Sequence, residues 1–327
     1  MKLNASEINK ILVISLSNVG DVILTFPVID ILRRDFARSK LSVVVGPKAV
    51  SLLKGNPHIV KVYIFEKKQS VWNKLRWVLE LRKEKFDIVV DLRNTAIPIL
   101  ISAKYCTPVW IVKPKGLHMK LKHLNRLKTV FEFPSESESR YALQVNDDDQ
   151  RYAESLINAH IGLGKKFIVV GPGAANHAKR WNQEGFAQVC DKLIERYQTK
   201  IVFVGDAADE KIAQNIAGKM KNQSVNFGGR TTLTQLAEIL RRAALVIAND
   251  SAIMHMASYL NVPVVAIFGP TDPAKYGPWS LKNQVVRKDV FCSPCEKPGC
   301  TYSQECIDDI QPPDVLKAVE DLWKEIG

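Results

Sequence analysis

Short apolar runs alternate with amphipathic stretches along the first half of the chain. The apolar runs are rich in β-branched residues and predict buried strands, while apolar residues that recur every three or four positions predict helices. This alternation implies βαβ units and a parallel sheet. The predicted strands are Lys10–Ser15, Leu41–Val45, Val60–Phe65 and Ile88–Asp91, and the predicted helices are Val22–Phe36, a stretch around Ala49–Lys54, and Val71–Lys83.

The alternation is interrupted between Ser135 and Asp149 and then resumes. Serine and acidic residues cluster in this segment, which predicts the approach to a linker. The second half predicts another parallel sheet with helices between its strands. The strands are predicted at Phe167–Gly171, Lys200–Val204, Val225–Phe227, Leu245–Ala248 and Val264–Phe268, and the helices at Gln183–Arg196, Ala208–Lys219, Thr234–Arg241, Ala252–Leu260 and Pro313–Ile326.

Two Rossmann-like α/β domains that face each other across a cleft account for the two runs of alternation. We predict an N-terminal domain at residues 1–155 and a C-terminal domain at residues 156–327, with the alternative that the last helix packs back on the N-terminal domain. A chain of 327 residues is long enough for two cores. Ligands of such sheets bind at the carboxyl ends of the strands, so the loops after the strands are the candidate sites.

Composition indicates a folded protein with an acidic partner. The chain is 46% hydrophobic and 24% charged, and its net charge is +12. No apolar run is long enough to cross a bilayer, and no export signal precedes the first strand, so we expect a cytoplasmic protein. The positive charge favours an anionic lipid, an acidic sugar or a nucleic acid as partner. Because no nucleic-acid-binding motif is present, we expect no nucleic acid.

A basic segment between Lys113 and Lys128 concentrates part of this charge. It contains six lysine or arginine residues, two histidines and no acid. Such a run is either a solvated basic surface or an anion-binding surface, and the basic character of the whole chain favours the second. The candidate anion-binding residues in it are Lys120, Lys122 and Arg126.

The first strand ends in a loop with a candidate base. Gly20 allows a tight turn there, and Asp21 lies at or near the start of the next helix. Asp21 either caps that helix or is a carboxylate that accepts a proton from a substrate hydroxyl. The loop lacks the G-x-G-x-x-G pattern of dinucleotide-binding enzymes, which argues against an NAD enzyme.

Strand ends in the second half carry residues suited to a nucleotide. The small residues Gly171–Ala175 allow a ligand to approach the backbone, and Lys179 or Arg180 then either neutralises a pyrophosphate or lies on the surface. A carboxylate in Gly205–Glu210 could bind a ribose diol. The stretch Gly228–Thr232 could line the base.

The fourth of these loops contains a helix start. Asp250 and Ser251 precede the predicted helix, whose first N–H groups form an anion site. Asp250 is a candidate for hydrogen bonds to ligand hydroxyls, with helix capping as the alternative. His255 lies one turn into the helix and is expected to pack there rather than to catalyse.

The run NDSAIMHMASYLNVPVVAIFGPTDP, at Asn249–Pro273, resembles the signature of glycosyltransferase family 9, the ADP-heptose:lipopolysaccharide heptosyltransferases. The SNVGD loop, the GAANHAKRW block, and the GDAADE and FGGRTTLTQLAEIL stretches are similar too and follow in the family's order. The resemblance covers nearly the whole chain. It implies a GT-B fold and an inverting transfer from ADP-L-glycero-D-manno-heptose with neither a catalytic metal nor another cofactor. It also implies an acceptor of the Kdo-lipid A type, the acidic lipopolysaccharide inner core, and peripheral contact with the cytoplasmic face of the inner membrane.

The resemblance also implies residue roles by position. Asp21 matches the general base, Lys179 the phosphate-binding lysine and Asp250 the acid near the donor sugar, while Asp209 or Glu210 matches the ribose-binding acid. Family members usually have glycine where Ala252 stands, and some have a hydroxyl residue where Ala174 and Ala175 stand. The remaining donor-site candidates are Arg180, Thr231, Ser251, Ala252, Ile253 and His255, and the acceptor-site candidates are Ser17, Asn18, Gly20, Lys120, Lys122 and Arg126.

Two alternatives stay open. The chain could be a GT-B transferase of another nucleotide sugar, such as a UDP-sugar, or a nucleotide- or sugar-binding protein without catalysis. The second alternative would need no carboxylate at Asp21.

Four of the six cysteines lie close together in the sequence, at Cys292, Cys295, Cys300 and Cys306. This spacing is compatible with a structural zinc, with disulfides, or with reduced thiols, and disulfides are the less expected in a reducing cytoplasm. The isolated Cys106 and Cys190 are predicted to be buried.

Overall fold

The computed structural model describes residues 3–109, 116–137, 139–297 and 299–326. It divides into two compact units, Met1–Asn146 and Asp147–Gly327. The predicted domain boundary between residues 155 and 156 falls inside a helix, Asp147–His160, which packs within the second unit. The acids Asp147, Asp148 and Asp149, which suggested the approach to a linker, form the first turn of this helix, where the helix dipole favours negative charge.

The first unit is built on a five-stranded parallel sheet. Its strands are β1 Lys10–Ile14, β2 Lys40–Val45, β3 Lys61–Ile64, β4 Ile88–Asp91 and β5 Tyr105–Cys106, and its helices are α1 Val19–Ile23, α2 Phe26–Asp35, α3 Val50–Leu53, α4 Val71–Lys83, α5 Ile97–Leu100 and α6 Met119–Lys128. The strand order is β3-β2-β1-β4-β5. Successive strands are added on one side of β1 up to β3, and β4 then starts the other side, so the strand order reverses between β1 and β4.

The second unit is built on a six-stranded parallel sheet. Its strands are β6 Phe167–Gly171, β7 Lys200–Phe203, β8 Val225–Asn226, β9 Leu245–Asn249, β10 Val264–Ile267 and β11 Asn283–Val286, and its helices are α7 Asp147–His160, α8 Gln183–Tyr197, α9 Ala207–Ala217, α10 Leu233–Arg242, α11 Ala252–Tyr259, α12 Pro273–Tyr276, α13 Glu305–Asp308 and α14 Pro312–Ile326. The strand order β11-β10-β9-β6-β7-β8 puts the reversal between β6 and β9. The last helix, α14, packs on α8, β10 and β11 of its own unit.

The predicted helix Val22–Phe36 is wrong in one respect, because two helices occupy this stretch. The chain leaves α1 after Ile23 and enters α2 at Phe26, with Pro27 in the first turn of α2. Proline lacks an N–H and is tolerated in a first turn, whereas inside a longer helix it would break the ladder. The Thr25 hydroxyl lies between the two helices and is bonded within the core, 2.8 Å from the Ser15 hydroxyl.

Several elements had no clear sequence signal. They are short, polar or at the edge of a sheet, so apolar periodicity does not mark them. The largest are α7, for which no helix was predicted, and α6, which covers Met119–Lys128 of the basic segment that was treated only as a charged run. The others are β5, β11, α5, α12 and α13. Within the described residues, no helix is both long and apolar enough to cross a bilayer.

Trp181 connects three parts of the second unit. Its backbone amide donates to Asn249 Oδ1 at 3.2 Å, and its indole Nε1 donates to the Ile310 carbonyl at 2.9 Å. The ring is buried and lies edge-on to Phe186, with the ring centroids 4.9 Å apart. A Cβ atom on Gly185 would lie 2.4 Å from Trp181 Cζ2, so glycine is required on this turn of α8.

Gly185→Ala is expected to lower the free energy of unfolding by about 1–3 kcal/mol, because the added methyl overpacks an indole fixed at both ends. Gly218→Ala is the matched control, since its Cβ would come no closer than 3.5 Å to another atom. The control should leave stability unchanged or raise it slightly. Urea unfolding measures both variants, and equal midpoints would mean that Trp181 can shift at no cost.

His123 gives the first unit a predictable response to pH. Burial lowers its pKa to about 4, and the positive charges of Arg126, His118 and Lys122 add to the effect. The unfolded chain keeps the ordinary value of about 6.5, so between these two values the unfolded state binds more protons. Stability should therefore fall as the pH drops from about 6.5 to about 4 and level off below that.

The expected loss from His123 is about 3 kcal/mol, since each pKa unit corresponds to about 1.4 kcal/mol. His123→Leu keeps an apolar core position and should flatten this part of the stability profile. Chemical denaturation of both proteins at several pH values measures the difference in slope. Equal slopes would show that His123 takes up its proton readily in the folded state.

Candidate active site

The loop after β1 lies against the end of β2. The Ser15 amide donates to the Val44 carbonyl at 2.9 Å, and the Gly46 amide in turn bonds the loop. A Cβ atom on Gly46 would lie 2.8 Å from both Cα and Cβ of Ser17. Only glycine therefore fits at position 46, where the chain after β2 passes Ser17 in the loop after β1. Sequence analysis missed Gly46, although a glycine directly after a strand was its visible signal.

Asp21 lies in the first turn of α1, while Asn18 occupies the N-cap position. The Asn18 side chain does not cap the helix but donates through Nδ2 to Asp21 Oδ2 at 3.0 Å. Gly20 lies beside them in the same turn, and the buried Ser17 hydroxyl has no hydrogen-bond partner in the described structure. Asp21 is half-buried and is not the cap residue. The interpretation of Asp21 as an N-cap is therefore wrong.

Arg126 fastens α6 to the loop after β4. Its Nε donates to the Asp91 carbonyl, its Nη1 to Asn94 Oδ1 at 3.0 Å and its Nη2 to the Pro108 carbonyl at 2.9 Å. The buried Asp91 carboxylate in turn accepts from the hydroxyl of Thr95 at 2.8 Å. Each nitrogen of the Arg126 guanidinium is thus bonded inside the first unit, which gives this residue a structural role that its charge alone did not predict.

The rest of the basic segment has a counter-charge from later in the chain. Lys120 Nζ lies 3.1 Å from Glu136 Oε1, and the Lys120 side chain is 15% exposed. Lys122 is half-buried and forms no ion pair with a described residue. Lys113 and Lys115 lie outside the described residues. Lys120 thus has a counter-charge that the acid-free run did not show, because Glu136 lies outside the run and only the fold brings it close.

The second unit places its candidate residues where β6 and β9 end side by side, at the reversal of strand order. Asn249 links the two strand ends, since its Nδ2 donates to the Pro172 carbonyl at 2.7 Å and its Oδ1 accepts from the Trp181 amide. Gly171 lies against Ile253, and a Cβ atom there would be 2.9 Å from the Ile253 Cδ1. In open α/β sheets, ligands bind at this reversal point.

Asp250 is the centre of a small charged cluster at this point. Its carboxylate is 4% exposed, and Oδ2 lies 2.7 Å from Lys179 Nζ. The Thr271 hydroxyl donates to the same oxygen at 2.6 Å, and His255 Nε2 lies 4.0 Å from Oδ1. The His255 ring stacks on Trp279, as expected for a packed residue. Sequence analysis missed the role of Thr271, because only the fold brings it to Asp250.

The first turn of α11 adjoins this cluster. Ser251 is its N-cap residue but makes no side-chain cap bond, and its buried hydroxyl has no partner among the described residues. Ala252 and Ile253 begin the helix, so their N–H groups lack partners within it. These N–H groups and the Lys179 ammonium, whose side chain is 28% exposed, suit an anionic group.

Arg180 and Asp209 both lie against the loop after β6. Arg180 Nε donates to the Ala174 carbonyl at 2.8 Å. Asp209 lies so close to this loop that a Cβ atom on Gly173 would be 2.0 Å from its Oδ1. Asp209 also closes the capping box of α9 with Asp206. Burial raises the pKa of Asp209, and the neighbouring Asp206 charge raises it further, while Arg180 opposes this shift.

Glu210 and Thr231 lie beside other parts of the second unit. Glu210 is exposed and accepts from Gln214 Nε2 at 3.1 Å, and its Cα would be 2.8 Å from a Cβ on Gly228. Thr231 is half-buried and precedes Thr232, the cap residue of α10. Of the two candidate ribose-binding acids, Asp209 is therefore the one beside the loop after β6.

The four clustered cysteines are free thiols that line one cavity of about 130 Å³. Burial raises the pKa of Cys306 to about 11, and the neighbouring Cys292, Cys300 and Cys295 contribute. In the described ranges, no three His, Cys, Asp or Glu side chains are grouped so that they could hold a metal. A structural zinc here stays a prediction from the sequence. Of the two isolated cysteines, Cys190 is buried as predicted and Cys106 is half-buried.

Comparison with known proteins gives consistent matches. The model of glycosyltransferase family 9 (heptosyltransferase) matches residues 102–305. Lipooligosaccharide heptosyltransferase 2 of Campylobacter jejuni is 25% identical over 315 residues, which are 93% of this chain and 96% of that protein. The crystal structure of a family 9 glycosyl transferase from Veillonella parvula is 25% identical with a TM-score of 0.82, and 97% of each chain is covered. The structure of ADP-heptose lipopolysaccharide heptosyltransferase II of Escherichia coli is 22% identical, and 97% of this chain and 99% of that chain are covered. Its TM-score is 0.77, so the two proteins are similar in fold.

These matches agree with the division of the chain into two parallel-sheet units. The predicted GT-B fold class is confirmed, and so is the prediction of a transferase enzyme. The family match spans more than half of the chain and includes the Asp250 cluster. The chain belongs to glycosyltransferase family 9, the heptosyltransferase family.

Proposed function

We propose that this enzyme transfers L-glycero-D-manno-heptose from ADP-heptose to the acidic inner core of a bacterial lipopolysaccharide, with inversion at the anomeric carbon. The names of similar proteins support this donor and this acceptor class. The observation that carries the proposal is the Lys179–Asp250–Thr271 cluster beside the first turn of α11. It offers an anion-binding group and a sugar-binding carboxylate at the ligand-binding edge of one sheet.

The ADP leaving group would be stabilised by charge that is already in place. The Lys179 ammonium lies 2.7 Å from the Asp250 carboxylate, and the N–H groups at the start of α11 lie at the same edge of the sheet. As the bond between the anomeric carbon and the phosphate oxygen breaks, negative charge moves onto the diphosphate. Preorganised donors of this kind lower the barrier because they need not reorient during the reaction.

The acceptor hydroxyl would be activated by Asp21. The acceptor oxygen attacks the anomeric carbon from the face opposite ADP, and its proton passes to the carboxylate. The Asn18 amide fixes one oxygen of Asp21, and no described residue donates to the other oxygen. We propose that this other oxygen accepts the proton of the acceptor hydroxyl. Ser17 and Gly20 are proposed to contact the acceptor from the same loop.

The acceptor's acidic groups are proposed to meet the basic segment of the first unit. Lys122 is the candidate there that forms no ion pair with a described residue, whereas Lys120 and Arg126 already have protein partners. An acceptor carrying carboxylates and phosphates would compete with Glu136 for Lys120. The enzyme is proposed to work at the cytoplasmic face of the inner membrane, where such a glycolipid is anchored.

Asp21→Asn should lower kcat by roughly 10²–10⁴, because an amide cannot accept the acceptor proton. Donor affinity and melting temperature should stay near those of the unchanged enzyme, since Asn can keep the contact with Asn18. Steady-state kinetics and ADP titration measure these quantities. Asp35→Asn is the matched control in the same unit and should be fully active. If Asp21→Asn is fully active too, Asp21 is not the base.

Lys179→Met should raise the Kd for ADP by roughly 10- to 100-fold, the worth of one charge-assisted hydrogen bond. It also leaves the buried Asp250 carboxylate unpaired, so stability should fall. Lys179→Met with Asp250→Asn removes both charges and should recover stability without recovering ADP affinity. Lys192→Met, on the exposed face of α8, is the control.

Calorimetry with ADP and with UDP tests the donor at the same time, since ADP should bind the unchanged enzyme more tightly. A clear preference for UDP and UDP-sugars would favour the alternative of another nucleotide-sugar donor. Normal ADP affinity in Lys179→Met would contradict the role of Lys179.

A further inference from the structure

Helix α4 of the first unit has apolar side chains on two faces. The inner face holds Val78 and Leu81, which are buried in the core of the sheet. The outer face carries Trp72, which is 78% exposed, with Leu75 and Leu79 at the next turns, also exposed. A surface helix of a soluble protein normally has one apolar stripe and turns it inward. The outer stripe of α4 therefore needs another explanation.

The neighbouring helix α5 extends this exposed surface. Its first residue Ile97 and the C-cap residue Ile101 pack in the same core cluster as the inner face of α4. Its outward residues Ile99 and Leu100 are exposed, Ile99 by 64%. Single exposed apolar residues are common, but a group on adjacent helices indicates an interaction surface. We call this surface the α4–α5 face, formed by Val71, Trp72, Leu75, Leu79, Ile99 and Leu100.

Cations flank the α4–α5 face. The stretch from Lys67 to Lys85 contains seven Lys or Arg residues and two acids. Both acids are already paired, since Glu80 lies 2.9 Å from Lys83 and Glu84 bonds Lys10 and Lys61. The remaining cations on this stretch are exposed or half-buried and are free to meet an anionic partner.

This combination fits a lipid surface better than a second copy of the chain. Trp and Leu on one side of a helix, with Lys and Arg beside them, are typical of helices that lie in the interface of an anionic membrane. A symmetric dimer through the same face would bring two basic flanks together, and like charges across an interface disfavour association.

The position of the face in the first unit suits a membrane-anchored acceptor. The α4 helix begins after β3 and α5 begins after the loop that follows β4, so both start at the carboxyl edge of the sheet. The Asp21 loop leaves β1, the neighbour of β4, at the same edge. A membrane in contact with Trp72 at the start of α4 would therefore lie on the side of the sheet from which Asp21 is reached.

We propose that the α4–α5 face docks the enzyme on a bilayer containing anionic phospholipids. The apolar side chains enter the boundary between headgroups and acyl chains, and Lys67, Lys68 and Arg76 contact lipid phosphates. The biological purpose rests on the proposed function, in which the acceptor is a glycolipid. Binding to the bilayer itself requires neither donor nor acceptor, so it can be measured separately.

Flotation with vesicles of phosphatidylethanolamine and phosphatidylglycerol tests the proposal on the full chain. The unchanged enzyme should float with these vesicles, less so at high salt, and should bind pure phosphatidylcholine weakly. Leu75→Ser and Leu79→Ser should each weaken binding by roughly ten-fold, the worth of one buried leucine side chain. Leu281→Ser is the matched control, because Leu281 is 88% exposed in the second unit.

Replacing Lys67, Lys68 and Arg76 by Gln should weaken binding to the anionic vesicles by roughly five-fold per cation and leave the weak binding to phosphatidylcholine unchanged. All variants should keep their melting temperature, since the replaced side chains are exposed. The ADP affinity should also be unchanged, which separates a failure of docking from a failure of the proposed donor chemistry.

Two results would overturn the proposal. The first is equal flotation of the unchanged enzyme, Leu75→Ser and Leu79→Ser, which would mean that the α4–α5 face does not touch lipid. The second is a dimer in analytical ultracentrifugation that Trp72→Ser converts to a monomer, which would identify the face as a contact between copies of the chain.

Discussion

The pairing of the buried Asp250 carboxylate holds the candidate donor site together. A carboxylate with almost no exposure costs several kcal/mol unless it is neutralised and hydrogen-bonded. Lys179 supplies the charge and Thr271 the hydrogen bond, so the turn before α8 and the loop after β10 are both drawn to the end of β9. The preceding residue, Asn249, holds two further backbone groups by hydrogen bonds. It donates to the Pro172 carbonyl and accepts from the Trp181 amide. Two consecutive side chains thus determine the positions of most strand-end loops that carry the site.

This pairing also explains how one lysine can serve an anionic ligand. Without Asp250, the long Lys179 side chain would sample many rotamers, and binding would have to order it. With Asp250, the ammonium is already ordered, and it is exposed enough to take a second acidic partner. Lysine has three N–H donors, so accepting a phosphate does not require it to leave the carboxylate. A buried acid beside Lys179 is therefore compatible with the diphosphate binding that we propose for this lysine.

The central strands and their loops could be predicted because their signals are local. The sequences of β1, β4, β6 and β9 are short apolar runs rich in β-branched residues. The start of α7 could not be read correctly, because a run of acids is equally typical of a linker and of a helix N-terminus. The ion pair of Lys120 could not be predicted for another reason. Glu136, which pairs with Lys120, is distant in sequence, and only the fold shows that they meet.

The net positive charge of the chain divides into two physical classes. Arg126 and Lys179 are bonded to protein groups and partly removed from water, so salt screens their contacts weakly. The cations beside α4 are mostly exposed. Dissolved salt therefore screens their interactions strongly at distances beyond a Debye length. A single count of charge therefore mixes groups that hold the fold, groups suited to bind a nucleotide and groups that attract a surface. Exposure and pairing separate these classes, and both depend on contacts between residues that are distant in the sequence.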